Sequence, residues 1–121
     1  MIRKSIAVLV VASAGAILAA TAGAKSSPKL TGEVGPGYKI EVTTAGDKDV
    51  KTLKPGKYTI KVEDKATIHN FHLIGPGLNK KTSVSFKGET TWKITLKPGR
   101  YTYQCDPHAS LGMKGHFTVK K

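Results

Sequence analysis

The chain has 121 residues, a formal net charge of +12, one cysteine and four histidines. That length suits a single domain, and a lone cysteine rules out an internal disulfide. The basic residues are not interleaved with aromatics, so the composition gives no nucleic-acid surface; an excess of cations steers a protein toward anionic partners.

The first stretch reads as an export signal. Met1-Ile2-Arg3-Lys4 is basic, Ile6 to Ala20 is apolar, and Ala22-Gly23-Ala24 has the small residues of a cleavage site. Residues 1–24 are therefore expected to be a signal peptide, and the mature chain to be exported to a periplasmic or extracellular compartment. An uncleaved membrane anchor is the competing reading, although the Ala-rich run barely reaches the ~20 residues of a span. With the signal removed, no stable membrane insertion is expected. No twin-arginine pair precedes the run and no cysteine lies near the cleavage site, so neither folded export nor a lipid anchor is indicated. Residues 25–29 form a short polar tail, expected to be flexible, and residues 30–121 form the domain.

The domain carries strand signals and no helix-length periodicity. Tyr38, Ile40 and Val42 alternate with Lys39, Glu41 and Thr43; Tyr58, Ile60 and Val62 with Thr59, Lys61 and Glu63; Trp92, Ile94 and Leu96 with Lys93, Thr95 and Lys97. Tyr101, Tyr103 and Cys105 share one parity, and Phe117 and Val119 another. A period of two marks a strand with one buried face. Lys39, Lys61, Lys93 and Lys97 fall at polar positions, where they guard solvated faces and edges. Gly35-Pro36-Gly37, Pro55-Gly56, Gly75-Pro76-Gly77 and Pro98-Gly99 punctuate the strands, as in a sandwich or barrel. Leu53-Lys54-Pro55-Gly56-Lys57-Tyr58 resembles Leu96-Lys97-Pro98-Gly99-Arg100-Tyr101, a turn feeding an amphipathic strand, and each tyrosine could tie its hydroxyl to nearby backbone.

The stretch Cys105-Asp106-Pro107-His108-Ala109-Ser110-Leu111-Gly112-Met113 brings a thiol, an imidazole and a thioether onto one loop between two strands. An exported lone cysteine is a free thiol, an intermolecular bridge or a ligand. Thiolate and thioether select soft ions, imidazole suits copper in either state, and two His and one Cys with a weak axial Met form an electron-transfer copper set. A second histidine must come from elsewhere. His69 shares a strand face with Phe71 and Leu73 and is expected to point inward, while His72 and His116 fall on outward parities and read as surface histidines. A lone inward histidine is more often a hydrogen-bonded core residue, and a lone methionine more often packing. The conjunction of all four residues favours a metal site at His69, Cys105, His108 and Met113.

The run Gly99-x-Tyr101-x-Tyr103-x-Cys105-x-Pro107-His108 with Met113, together with His69-Asn70, resembles the small blue copper proteins, the cupredoxins of the plastocyanin, amicyanin and pseudoazurin type. The resemblance implies an all-β, Greek-key β-sandwich of about eight strands with one copper at one end, cycling between Cu+ and Cu2+. It implies that Cys105 binds as thiolate, that His69 and His108 complete a trigonal set, and that Met113 is a weak axial ligand. Asn70 is expected to brace the two ligand segments and Pro107 to stiffen the loop. Ala109, Leu111 and Gly112 would form an apolar rim around His108, docking an acidic redox partner of a monomeric electron carrier. Gln104 stands where plastocyanins usually place a tyrosine, and the chain is basic where many plastocyanins are acidic. An exported copper carrier or buffer would use the same ligands. A copper enzyme would need an open position or further histidines, and the chain has no His-x-His pair. One Cys, two His and a Met make a poor zinc set.

Overall fold

Alternation of apolar and polar residues is realised as pleated strands packed face to face. The computed structural model describes residues 27–121; residues 1–24, expected to be a signal peptide, and the start of the tail lie outside the described residues. Among the described residues nine strands are formed: β1 (Lys29–Val34), β2 (Ile40–Thr44), β3 (Thr52–Leu53), β4 (Gly56–Asp64), β5 (His72–Gly75), β6 (Leu78–Lys81), β7 (Gly88–Leu96), β8 (Gly99–Gln104) and β9 (Lys114–Val119). A 3-10 helix, Asp106–Leu111, follows β8. One sheet runs β2-β1-β4-β7 and the other β3-β9-β8-β5-β6. The two pack as a Greek-key sandwich. The strand beyond the eight expected is a two-residue pairing, β3 running parallel to β9. Lys29, assigned to the tail by its polarity, opens β1 and faces Thr59 of β4.

The core lies between the sheets. Leu30, Val34, Val42, Ile60, Val62, Ile94 and Leu96 come from the first, and Leu73, Tyr101, Phe117 and Val119 from the second. Phe71 stacks on Tyr103 and Tyr101 on Phe117. Gly32 is the hole that Phe71 fills: a Cβ there would lie 2.5 Å from the Phe71 ring. Tyr38 departs from its apparent parity. It precedes β2, is 61% exposed, and lies outside the core.

Strand direction decides what gathers at each end. β1, β4, β6 and β8 run toward one end, and β2, β5, β7 and β9 run away from it. The connections 35–39, 65–71, 82–87 and 105–113 therefore share that end. The opposite end is fastened by the two tyrosines of the internal echo. The Tyr58 hydroxyl donates to the Lys54 carbonyl (2.7 Å). The Tyr101 hydroxyl accepts from the Lys97 N–H (2.9 Å) and donates to the Pro76 carbonyl (3.0 Å), tying the β7–β8 turn to the β5–β6 turn.

Candidate metal centre

Two connections at the shared end supply the donors. His69 comes from the β4–β5 connection, and Cys105 and His108 from the β8–β9 connection. Among the described residues they are the one group of three His, Cys or acidic side chains close enough to hold an ion. His69 and Cys105 are fully buried and His108 is partly buried. The His69 and His108 Nδ1 atoms lie 3.1 Å apart, and Cys105 Sγ lies 3.6 Å and 3.4 Å from them. A triangle with those edges has its centre about 2 Å from each corner, a metal–imidazole bond length.

The tautomer of His69 follows from its other nitrogen. Nε2 lies 3.3 Å from the Pro36 carbonyl, which can only accept, so Nε2 carries the proton and Nδ1 turns a lone pair toward Cys105. Gly35 allows this approach, with a positive φ of 79° and no room for a side chain: a Cβ would meet the His69 ring at 2.9 Å. Lone-pair donors converging in a buried space are an arrangement that a cation stabilises, and the thiol and imidazole set fits copper.

The loop carrying Cys105 is closed by backbone bonds. Cys105 N–H donates to the Met113 carbonyl (3.0 Å), His108 N–H to the Cys105 carbonyl (3.1 Å), and Met113 N–H to the His108 carbonyl (3.2 Å). Met113 is buried against the core. Pro107 stands in the first turn of the 3-10 helix, where its missing N–H costs nothing, and Gly112 ends the helix in the left-handed region.

Asn70 joins the two ligand connections. Its Oδ1 accepts from the Asp106 N–H (2.7 Å), and its Nδ2 donates to Asp106 Oδ2 (3.0 Å) and to the Thr82 carbonyl (3.2 Å). Thr82 Oγ1 in turn accepts from the Phe71 N–H (2.9 Å). Partial burial raises the Asp106 carboxyl, but hydrogen bonds from Gln104, His72 and Asn70 outweigh it and bring the group down to about 2. His72 does not stand free on the surface. Its Nδ1 donates to Asp106 (2.9 Å), and its Nε2 meets the Asn79 side chain at 2.7 Å. His116 is exposed on β9. His69 also departs from the strand geometry, since it precedes β5 in a connection where Asn70 and Phe71 are buried in succession.

The surface above the site is apolar. Leu111 is 69% exposed, with Pro107, Gly112 and half-buried Ala109 beside it. Tyr38, which periodicity had set among core residues, lies over the ligands instead, its ring centroid 4.5 Å from that of His108 and 5.5 Å from that of His69. Asp106, Tyr38 and the Gly35-Pro36 pair are the residues that motif reading missed. Their only signals were a turn and an acidic residue directly after the cysteine. Lysines flank this end unevenly: Lys39 and Lys65 are paired with Glu41 and Glu33, whereas Lys80, Lys81, Lys87 and Lys114 are exposed.

Comparison with known proteins places these features in context. Residues 40–120 match the model of a family described as copper binding proteins, plastocyanin/azurin family. Among solved structures, a reduced rusticyanin is similar at 23% identity, over 80% of this chain and 81% of that one, with a TM-score of 0.58. Rusticyanin from Thiobacillus ferrooxidans is similar at 22% identity, over 93% and 95%, with a TM-score of 0.56. A pseudoazurin from Sinorhizobium is 27% identical over 79% and 76%, with a TM-score of 0.47.

Proposed function

The chain belongs to the plastocyanin/azurin family of copper-binding proteins and is a blue copper protein with one copper per chain; from that premise we propose that it is an exported carrier of single electrons whose copper is held by His69, Cys105, His108 and Met113. The observation that carries this reading is the convergence of two imidazole Nδ1 atoms and a thiol within 3.6 Å of one another in a buried space. Bound copper supplies the one-electron couple. The chain supplies the fixed donors. His69 is held by the Pro36 carbonyl, Cys105 by its backbone bond to the Met113 carbonyl, and both segments by Asn70. Donors held in this way reorganise little when the charge at their centre changes, and a small reorganisation lowers the barrier to electron transfer. Cys105 must release its proton to bind, so loading weakens in acid.

The basic start, apolar run and Ala-Gly-Ala end of residues 1–24 support export by a cleaved signal. No helix of the described residues is long and apolar enough to cross a membrane. Leu111, Ala109, Gly112 and Tyr38 form the proposed contact with a redox partner at the His108 side. The exposed Lys80, Lys81 and Lys87 on one flank suit a partner with an acidic rim.

The test is a Cu(II) titration followed by visible absorption and EPR, with Cys105→Ala as control. An intense blue band with narrow copper hyperfine splitting, absent in the control, supports the reading. A pale tetragonal spectrum indifferent to Cys105→Ala places copper elsewhere and ends it. Fast self-exchange and retention of copper against an apo-acceptor distinguish an electron carrier from a copper carrier.

A further inference from the structure

The net charge of the molecule is not spread over it. Six of its eight carboxylates (Glu33, Glu41, Glu63, Asp64, Glu89 and Asp106) lie on the half that holds the candidate metal centre. Strand register puts Glu41, Glu33, Glu63 and Glu89 in one row across the first sheet. The ion pairs sit there too: Lys39–Glu41, Lys61–Glu63, Lys65–Glu33 and His72–Asp106. The opposite end has only Asp47 and Asp49 as acids. It carries Lys54 and Lys57 around the β3–β4 turn, Lys97 and Arg100 around the β7–β8 turn, Lys29 at the start of β1 and Lys120 after β9. All six are exposed, and among the described residues none is in an ion pair.

We propose that this distal basic pole docks the protein on an anionic lipid surface, leaving the metal end facing away from the membrane. Two independent features converge on that orientation. The first is the charge: cations held at one pole by stiff turns can face a plane together, whereas an even distribution would present only a few at a time. The second is the chain path. The Pro28 carbonyl accepts from the Thr59 N–H, so the segment arriving from the N-terminus joins the fold at the basic pole. The chain therefore reaches the domain from the side that carries the cations, whether or not the signal segment is removed. The Tyr58 and Tyr101 hydroxyl bonds fix the two turns that bear four of the six cations. Docking at this pole leaves Tyr38, Leu111 and His108 free for a partner, so membrane and redox contacts do not compete.

The experiment is cosedimentation of the copper-loaded protein, as isolated from an exporting host, with phosphatidylglycerol–phosphatidylcholine vesicles and with pure phosphatidylcholine vesicles. Binding is expected to the anionic vesicles only, and to weaken between low salt and ~0.15 M. A basic residue near an anionic surface is worth about a factor of five in partition. The variant Lys54→Gln/Lys57→Gln/Lys97→Gln/Arg100→Gln is therefore expected to lose more than about a hundredfold. The variant Lys80→Gln/Lys81→Gln/Lys87→Gln/Lys114→Gln has the same net charge and is expected to bind as the parent does. The blue band reports that each variant is folded. If the distal variant lacks it, the pairs Lys54→Gln/Lys57→Gln and Lys97→Gln/Arg100→Gln are tested separately, each expected to lose more than about tenfold. Equal losses in the two fourfold variants would overturn the proposal in favour of diffuse charge. So would failure of the parent to bind anionic vesicles at low salt, and a parent retained by a soluble polyanion but not by vesicles would point to a polymer instead.

Discussion

Replacing Asn70 by alanine tests whether the two ligand connections are held as one unit. Asn70 is 2% exposed and makes three hydrogen bonds, at 2.7, 3.0 and 3.2 Å, two of them to Asp106 across the junction. A net contribution of ~1 kcal/mol applies to each neutral bond, with somewhat more for the bond to the carboxylate. The expected loss is about 3 kcal/mol, a large share of the ~5–15 kcal/mol available to a small domain. With m near ~1–3 kcal/mol/M in urea, the midpoint falls by about 1–3 M at unchanged m. Thr82→Ala removes only the bond to the Phe71 N–H and is expected to cost about 1 kcal/mol. Asn70→Ala and Asp106→Ala together should be less damaging than the sum of the two, because both break the bond from Asn70 Nδ2 to Asp106 Oδ2. Copper affinity should fall by ~10–100-fold, as it does when groups supporting a ligand are removed. Urea unfolding of the apo-protein and competitive copper titration are the assays. A loss under ~1 kcal/mol with unchanged copper affinity would refute the bracing argument.

Other perturbations probe the packing and the charges. Gly32→Ala drives a Cβ to 2.5 Å from the buried Phe71 ring and should destabilise by ~1–3 kcal/mol, read as a drop in Tm. Tyr38→Ala removes the ring over His108; an aromatic contact of ~0.5–1.5 kcal/mol predicts chelator stripping of copper up to about tenfold faster, with Tyr38→Phe unchanged. The Asp106 carboxyl, held down at about 2, stabilises the fold above its unfolded value near ~4, and this is lost as pH falls toward 2. Asp106→Asn should therefore flatten apo-protein stability across that window. Asp64 has the opposite sign: burial pushes its carboxyl up, against the hydrogen bond from the Ala66 N–H. The folded state then holds the proton longer, so stability declines as pH rises through the interval above its ordinary value. Asp64→Asn should remove that decline, as seen in urea midpoints compared across the pH range.

The long amphipathic strands were legible because one face of each meets the core. β4 and β7 bury alternate residues from Tyr58 to Asp64 and from Ile94 to Leu96. β6 was hidden because Leu78-Asn79-Lys80-Lys81 is an edge strand, polar along most of its length. β3 has two residues, too few for any period. β1 was obscured by Gly32, whose missing side chain makes sense only once Phe71 arrives from the β4–β5 connection. Three of the four candidate ligands stood out because one short loop holds them. His69 was reached through a parity that its connection does not follow: Asn70 beside it is also buried, because its amide is satisfied by Asp106 and Thr82. What periodicity could not register was contact across the fold, including the Pro36 carbonyl on His69, the Tyr38 ring over His108 and the His72–Asp106 bond.

The twin tyrosine turns give the molecule a permanent clasp at the end away from the metal. They need no ion, since Tyr58 and Tyr101 close them with hydroxyl bonds alone. The other end is joined by the Asn70–Asp106 bonds, and a cation held among His69, Cys105 and His108 would tie it further. Opening should therefore be polar, in the manner of a zip fastened at its base. Without metal, amide exchange should quicken first at 66–70 and 105–113, while the distal turns keep their protection. Metal release is then a local fraying event that leaves the sandwich intact, and reloading can proceed on a chain that has never unfolded.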